Sequence, residues 1–396
     1  MNNIKKSFIL ILLLSVCFFT SCESNEQVTI KQSLLIYMVD NNNLLSYAEN
    51  NINDIMSSYL PKDLNDGSGD VLLLYTRVNN FFNSDDNIGD GPHLVRVYKD
   101  GDDVKYEILK EYEKSINSAT KEQLKSVLDL AYNLYPGEEN GLILWDHGTG
   151  WLPAVNSSKE APKTYGFENN KSIDVQDLPE ALGRKYYYII FDACLMGGVE
   201  VEYELKDNAD FIIASQTEIM GSGFPYNLVV KDLLFLNKAN LHQVSEDYYN
   251  YYNDNNNQPY ATISICKTFG LDHLAITVAN ILKNDRENIS KIDISSIQSF
   301  SSSPGNLYYD LYDFMESIST NPNELTTFKK ALDNVILDVK FTSKFQTIPI
   351  NRDCGLSTFI SRGDVSKYFK YYKKFKWDKD VKLIDDTFVM NNINPK

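Results

Sequence analysis

Cysteine and histidine are scarce in this chain. Its 396 residues include five cysteines and four histidines, and these form neither a CxxC pair nor a closely spaced histidine pair. This spacing excludes a disulfide framework and gives no indication of a zinc site. The acidic residues contain no EF-hand pattern either. We therefore expect no metal and no cofactor.

Long apolar runs and basic residues are also lacking. Beyond residue 22 no stretch reaches the ~20 apolar residues that a membrane-spanning helix needs. Only 38 Lys and Arg stand against 54 Asp and Glu, which gives a formal net charge of −16. Because this charge repels phosphate backbones, nucleic acid is not an expected partner.

The rest of the composition is typical of a folded protein. Hydrophobic residues make up 43% and charged residues 23%, which argues against a disordered, collagen-like or coiled-coil chain. At ~150 residues per domain, the length allows two or three domains, or one large domain with an appendage.

The N-terminus has the pattern of an export signal. Lys5 and Lys6 precede an almost wholly apolar run of 13 residues, Phe8 to Thr20. That run is too short to span a membrane and has the length of a signal-peptide core. We therefore predict a signal peptide at residues 1–21.

The segment Phe19-Thr20-Ser21-Cys22 resembles a bacterial lipobox. The resemblance implies that Cys22 is lipidated and becomes the mature N-terminus, with a polar tether over residues 22–32. It implies an exported protein held to the cell envelope by its lipid alone, at the outer membrane or the cell surface. A plain secretory signal with an incidental cysteine is the alternative.

Short apolar runs alternate with helical patterns through the first part of the chain. The runs predict buried strands at 33–39, 71–75, 141–145, 187–191 and 211–214. Buried strands separated by helices indicate an α/β fold with a mostly parallel sheet covered on both faces. We assign this domain to residues 33–230. A mainly helical C-terminal region, 231–396, is expected to pack on it.

Two of these strands end in residues that carry chemistry. His147 follows the third strand and Cys194 follows the fourth, each with glycines after it. Active sites of open α/β sheets lie beyond the carboxyl ends of the strands. An imidazole beside a thiol makes a nucleophile, and the glycines allow backbone N–H groups to approach an acyl oxygen. The alternative is an inert buried cysteine and a structural histidine.

Leu144-Trp-Asp-His-Gly-Thr-Gly-Trp151 and Phe191-Asp-Ala-Cys-Leu-Met-Gly-Gly-Val-Glu200 resemble the clostripain family of cysteine peptidases. Shorter similarities extend from Tyr37 to Phe359 in the expected order. The resemblance implies a caspase-like sheet and a cysteine endopeptidase that cleaves peptides or proteins after Arg or Lys. We expect a monomer.

The resemblance also implies roles for individual residues. Cys194 matches the nucleophile, and His147 matches the histidine that protonates the leaving amine. The backbone N–H groups of Gly148 and Cys194 match the oxyanion donors. Asp192 matches an acid of the S1 pocket, which would read a basic P1 side chain. A structural cap on the strand-end turn is the alternative for Asp192.

The chain departs from the family pattern in two places. Ser222 stands where many relatives carry an acid near the pocket, which should weaken the hold on a basic P1 residue. Glu218 is a candidate to compensate. The second departure lies in residues 199–205, where apolar and acidic residues alternate with the period of a strand although the family has a helix.

Relatives often cut themselves between the histidine and the cysteine. The polar segment 156–171 predicts an exposed loop with Lys159, Lys163 or Lys171 as the cleavage site. Some relatives also need calcium, which stays open for this chain.

A second hypothesis is a catalytically silent peptide- or glycan-binding surface lipoprotein. The presence of both His147 and Cys194 favours the enzyme.

Overall fold

The computed structural model describes residues 29–82, 88–153, 164–235, 238–255, 258–301 and 307–384. Its strands are β1 Gln32–Met38, β2 Asp70–Thr76, β3 His93–Asp100, β4 Asp103–Glu111, β5 Glu139–Trp145, β6 Tyr165–Glu168, β7 Lys171–Ile173, β8 Tyr186–Asp192, β9 Ala209–Ala214, β10 Thr262–Lys267, β11 Tyr309–Asp310, β12 Ile336–Phe341, β13 Lys344–Phe345, β14 Ile348–Pro349 and β15 Ser357–Thr358. Its α-helices are α1 Leu45–Ser57, α2 Lys121–Leu134, α3 Leu178–Leu182, α4 Val199–Glu204, α5 Tyr226–Leu233, α6 Leu241–Asn253, α7 Leu271–Asp285, α8 Leu311–Ile318, α9 Pro322–Val335, α10 Phe369–Tyr372 and α11 Lys376–Val381.

A nine-stranded sheet runs through the molecule in the order β12-β10-β9-β8-β5-β1-β2-β3-β4. The five central strands, β9 to β2 in this order, are parallel to one another. The outer strands on both sides pair antiparallel. The predicted mostly parallel sheet is therefore present, and antiparallel strands extend it at both edges.

Helices cover both faces of the sheet, as the continuous apolar strands require. Every residue of β1 is buried. One face packs against α2, α3 and much of the C-terminal region, and the other packs against α1, α5 and α6. Thr120 caps α2, since its hydroxyl accepts the Gln123 N–H at 3.3 Å.

The region after residue 230 is built into the same sheet. Beyond that position, β10 pairs with β9 and β12 pairs with β10. The helices α6 to α11 lie in this region as well, so it is rich in helices and also supplies one edge of the sheet. The sequence pattern did not reveal this contribution, because strand pairing between distant segments leaves no local signal.

Residues 199–204 form a helix despite their period-two pattern. All six residues of α4 are buried, the three glutamates included. An amphipathic period reports which face of an element meets water. A helix that is buried all round carries no such signal, so the alternation did not indicate a strand here.

The segment 165–173 is a hairpin, and its prediction as part of an exposed loop was wrong. Strands β6 and β7 are joined by Asn169 and Asn170, both with positive φ. Two residues with positive φ make the tight turn that joins hairpin strands, and asparagine tolerates this conformation. Lys171 is exposed but opens β7.

Several predictions fall outside the described residues. These are the signal peptide, the lipidation site Cys22, most of the tether, and the cleavage candidates Lys159 and Lys163. Within the described ranges no helix is long and apolar enough to cross a membrane. Cys194, Cys266 and Cys354 are all free thiols.

Gly141 in the central strand β5 admits no side chain. A Cβ at this position would lie 2.1 Å from Cζ of Tyr188, a ring that is 2% exposed and has no room to move. We expect Gly141→Ala to lower the free energy of unfolding by about 1–3 kcal/mol in urea denaturation. Gly89→Ala is the control, because its nearest neighbour would be 3.9 Å away. Equal stability of the two variants would contradict this packing.

Candidate active site

Parallel pairing of β5 and β8 brings the two predicted catalytic residues to one edge of the sheet. Trp145, the last residue of β5, is in register with Asp192, the last residue of β8. His147 and Cys194 each follow two residues later, so they leave the sheet side by side. Both line one cavity.

The backbones that carry His147 and Cys194 are in direct contact. A Cβ placed on Gly148 would lie 2.5 Å from the carbonyl oxygen and 3.1 Å from the nitrogen of Cys194. Any side chain at Gly148 would therefore separate the two loops. The N–H groups of Gly148 and Cys194 have no hydrogen-bond acceptor among the described residues. Two adjacent N–H groups without acceptors are suited to bind an oxyanion.

The cavity at this edge has a volume of about 270 Å³. It is lined by the ends of β5 and β8, by the start of α1 and by the loop after β9. The lining residues are Leu44, Tyr47, Trp145, Asp146, His147, Asp192, Ala193, Cys194, Ile219, Met220, Gly221 and Gly223. Its walls are mainly apolar, with few polar groups, as in small-molecule and side-chain binding pockets.

The Cys194 thiol contacts the loop after β9. The Ile219 N–H donates to Sγ at 3.3 Å, and the thiol lies 3.7 Å from the Ile219 carbonyl oxygen. Burial raises the pKa of Cys194 to about 12, and the carboxylates of Glu218, Asp192 and Asp146 add to the rise. The resting residue is therefore a neutral thiol, and forming the nucleophile requires a proton acceptor.

His147 is oriented by an asparagine that sequence reasoning did not select. Its Nε2 lies 2.9 Å from Oδ1 of Asn43, in the turn between β1 and α1. An amide oxygen accepts, so Nε2 carries the proton and Nδ1 is the basic nitrogen. Asn43 is the last of three consecutive asparagines, and no local pattern in the sequence distinguishes it from Asn41 and Asn42.

The turn that presents Asn43 is tied to the residue before His147. Asn42 Nδ2 donates to Oδ1 of Asp146 at 2.8 Å, and Oδ2 of Asp146 accepts the Phe167 N–H. Asp146 therefore connects the end of β5 with the β1–α1 turn and with β6. These bonds hold Asn43 and His147 in one rigid unit.

Asp192 lines the cavity and is 4% exposed. Its Oδ2 accepts the Phe224 N–H at 3.0 Å and the Tyr226 hydroxyl at 2.9 Å. Burial raises the pKa of Asp192 to about 6, although the two hydrogen bonds oppose the rise. Asp192 thus caps the loop after β9 and lines the cavity, so both interpretations offered for it describe the same side chain.

The other two pocket candidates lie beside the cavity. Ser222 and Glu218 are not among its lining residues. The Ser222 carbonyl accepts from Asn51 Nδ2 at 2.9 Å, and its neighbour Gly223 comes within contact of Asp192. Glu218 is exposed, although its charge contributes to the raised pKa of Cys194. The structure does not bring either side chain next to Asp192.

Aromatic residues of the C-terminal region hold the loop after β5. Trp151 is fully buried, and its ring centroid lies 4.7 Å from that of Phe359 and 5.2 Å from that of Tyr372. The Tyr308 hydroxyl donates to the carbonyl of Thr149 in the same loop. The position of His147 therefore depends on packing from beyond residue 300.

A buried carboxylate holds the segment after Cys194 in the same way. Glu200 in α4 is 0% exposed, and its Oε1 accepts from the Thr358 hydroxyl and the Phe359 N–H, both at 2.9 Å. It also accepts from the Tyr372 hydroxyl at 2.5 Å. Because Phe359 and Tyr372 contact both loops, one C-terminal surface positions the thiol and the imidazole together.

These groups together are those of acyl transfer. A thiol, an imidazole and a buried carboxylate line the same cavity, and the two N–H groups without acceptors belong to Cys194 and to Gly148, the residue after the imidazole. Attack on a carbonyl carbon needs the thiol, the imidazole and the N–H donors, and a cationic side chain would pair with the carboxylate. No group of three or more His, Cys, Asp or Glu that could hold a metal occurs in the described ranges.

Comparison with known proteins points to the same chemistry. The sequence profile of the clostripain family matches residues 36–382. Clostripain from Hathewaya histolytica is 25% identical over 230 residues, which cover 52% of this chain and 43% of that protein. The chain thus matches less than half the length of this relative.

Two solved structures share the fold. One is an inactive zymogen C11 protease from Parabacteroides distasonis, and the other is a secreted C11 cysteine protease from Bacteroides thetaiotaomicron bound to an irreversible peptide inhibitor. Both are 28% identical to this chain, with a TM-score of 0.75, and both matches cover 89% of this chain. The match covers 98% of the first structure and 99% of the second. The predicted α/β fold is confirmed.

The raised pKa of Asp192 makes the native state less stable at neutral pH. Its pKa rises from 3.8 to about 6 on folding. At ~1.4 kcal/mol for each unit between the two values, ionised Asp192 lowers the free energy of unfolding by about 3 kcal/mol above pH 6. Asn accepts the same two hydrogen bonds without charge. We therefore expect Asp192→Asn to be more stable at pH 8.

This gain should shrink as the pH falls from 6 to 4, because the folded-state carboxyl becomes protonated below its raised pKa and the pH approaches the unfolded-state value of 3.8. Urea denaturation at pH 8, 6 and 4 measures it, with Asp66→Asn, at an exposed position, as the control. A gain that is the same at pH 4 and pH 8 would contradict this origin.

Proposed function

Because the chain belongs to the clostripain family of cysteine peptidases, we propose that it is an endopeptidase that cleaves after Lys or Arg with Cys194 and His147. The observation that carries this proposal is the shared cavity, which joins the thiol and imidazole to the buried Asp192. The backbone N–H donors of Gly148 and Cys194 complete the set of groups.

In the first step the Cys194 thiol passes its proton to His147 while Sγ bonds to the scissile carbonyl carbon. The carbonyl π electrons move to the oxygen, and the N–H groups of Gly148 and Cys194 bind the oxyanion. When the carbonyl re-forms, the C–N bond breaks and His147 protonates the leaving amine. Water then hydrolyses the acyl-enzyme with His147 as base and restores the thiol.

The P1 side chain extends from the acyl carbon into the cavity toward Asp192. The ammonium or guanidinium group of a basic P1 residue would pair with the Asp192 carboxylate, which has no cationic partner among the described residues. A buried, unpaired charge is unfavourable, so a Lys or Arg side chain stabilises Asp192 on binding. No step in this scheme requires a metal.

The N-terminal pattern supports export as part of this proposal. Lys5, Lys6 and the apolar run Phe8 to Thr20 form the signal, and Cys22 is the proposed lipid anchor. The similar protein from Bacteroides thetaiotaomicron is described as secreted. Peptides and proteins outside the cytoplasm are then the substrates, and Lys159 or Lys163 is the proposed self-cleavage position.

Fluorogenic peptides that differ only at P1 test the assignment, with the protein lacking residues 1–22. We expect turnover of Lys and Arg peptides and a loss of at least ~10³-fold with Cys194→Ala, because the covalent step disappears. Cys266→Ala is the control, since this thiol is buried in β10 away from the cavity.

Activity that survives Cys194→Ala would reject the nucleophile. Turnover restricted to uncharged P1 residues would keep Cys194 and reject Asp192 as the specificity residue.

Asn43 is proposed as a positioning residue for His147. We expect Asn43→Ala to lower kcat about tenfold with little change in KM, because the imidazole loses its orienting bond while the pocket is intact. Asn43→Asp keeps an acceptor oxygen and should recover most of kcat. Steady-state kinetics with a Lys peptide measures both variants.

Asn41→Ala is the matched control, because this neighbouring amide binds Glu168. An equal loss of kcat in the Asn41 variant, or a loss of melting temperature that accounts for the Asn43 effect, would contradict the proposal.

A further inference from the structure

The two oxygens of the Asp192 carboxylate differ in the hydrogen bonds that they accept. Each carboxylate oxygen has about two acceptor sites. On Oδ2 both sites are taken inside the protein, by the Phe224 N–H at 3.0 Å and the Tyr226 hydroxyl at 2.9 Å. Oδ1 has no hydrogen-bond partner among the described residues. A ligand in the cavity therefore meets one available oxygen.

The backbone of Gly223 keeps the carboxylate in this orientation. Gly223 has φ of +64°, and a Cβ there would lie 2.6 Å from Oδ2 and 3.1 Å from Oδ1. The carboxylate is thus enclosed by the loop that also supplies its donors, and rotation would break both bonds.

The second carboxylate that lines the cavity is already hydrogen-bonded at both of its oxygens. Asp146 also lines the cavity, but its oxygens accept from Asn42 and from the Phe167 N–H. Ser222 and Glu218 are not among the lining residues. Asp192 Oδ1 is therefore the principal anionic acceptor for a side chain in the cavity.

The two basic side chains differ in what they require from a carboxylate. A guanidinium is a planar fork of five donors that binds best with one N–H on each oxygen. An ammonium is a point charge with three donors and pairs well with a single oxygen. An arginine here would lose the second bond of the fork and keep unpaired N–H donors in a buried site, which is unfavourable.

We propose that the hydroxyl of Tyr226 makes this pocket select lysine over arginine at P1, by occupying the carboxylate oxygen that a guanidinium fork would need. This inference rests on the proposed function. It assigns Tyr226 as a specificity-determining residue that acts through Asp192.

The first test compares kcat/KM for peptides that differ only in Lys or Arg at P1, at pH 8, where Asp192 is ionised. We expect the Lys peptide to be preferred by about tenfold, the equivalent of ~1.4 kcal/mol for one lost charge-assisted bond. An Arg peptide that is cleaved equally well or better overturns this inference and leaves the proposed function standing. Cleavage of neither peptide overturns both.

The second test uses Tyr226→Phe, which frees one site on Oδ2 and keeps the ring. The ratio of Lys to Arg cleavage should fall several-fold toward one. Tyr186→Phe is the matched control, because this equally buried hydroxyl donates to the Leu182 carbonyl at 3.2 Å, away from Asp192 and the cavity lining. Its ratio should stay at the wild-type value.

A simple loss of structure would lower cleavage of both peptides together, so the ratio separates it from a change of specificity. An unchanged ratio in a folded Tyr226→Phe protein, verified by its melting temperature, overturns the assignment to Tyr226. The wild-type ratio tests the lysine preference independently of whether this variant folds.

Discussion

The arrangement of the site depends on the register between β5 and β8. Parallel pairing of Trp145 with Asp192 sets where both strands end, and His147 and Cys194 follow at the same distance. A slip of one residue would turn the side chains of one strand to the opposite face. Both faces of these strands are buried, so such a slip would move side chains from one core into the other and disrupt the packing of both. The sheet core thus determines the separation of thiol and imidazole.

Burial raises the pKa of both Cys194 and Asp192. The thiol of Cys194 is kept neutral, so it needs a proton acceptor to become a nucleophile. The pKa of the Asp192 carboxyl is raised to about 6, because its two hydrogen bonds offset only part of the effect of burial. The native state therefore holds an unfavourable charge at Asp192 that has no cationic partner among the described residues. Reduced stability at a binding site is a common consequence of such preorganisation.

Sequence reasoning located the elements whose signals are local. The apolar strands are contiguous in sequence and are present in the sheet, and the motifs around His147 and Cys194 follow the ends of two of these strands. Contacts between distant segments left no such signal. The bond from Asn43 to His147 spans 104 residues, and that from Tyr226 to Asp192 spans 34. The helix α4 shows no amphipathic period in the sequence, because every one of its faces is packed.

The C-terminal region helps to build the candidate active site. It supplies β10 and β12 to the sheet, and its residues Phe359 and Tyr372 contact both the loop after β5 and the segment after Cys194. Phe359 and Tyr372 couple the positions of the two segments, because a shift of either residue would disturb its contacts with both Trp151 and Glu200. Glu200 adds a directional constraint, since a buried carboxylate tolerates little movement of its donors. Cleavage between His147 and Cys194 would therefore leave both loops held in place by the same C-terminal contacts.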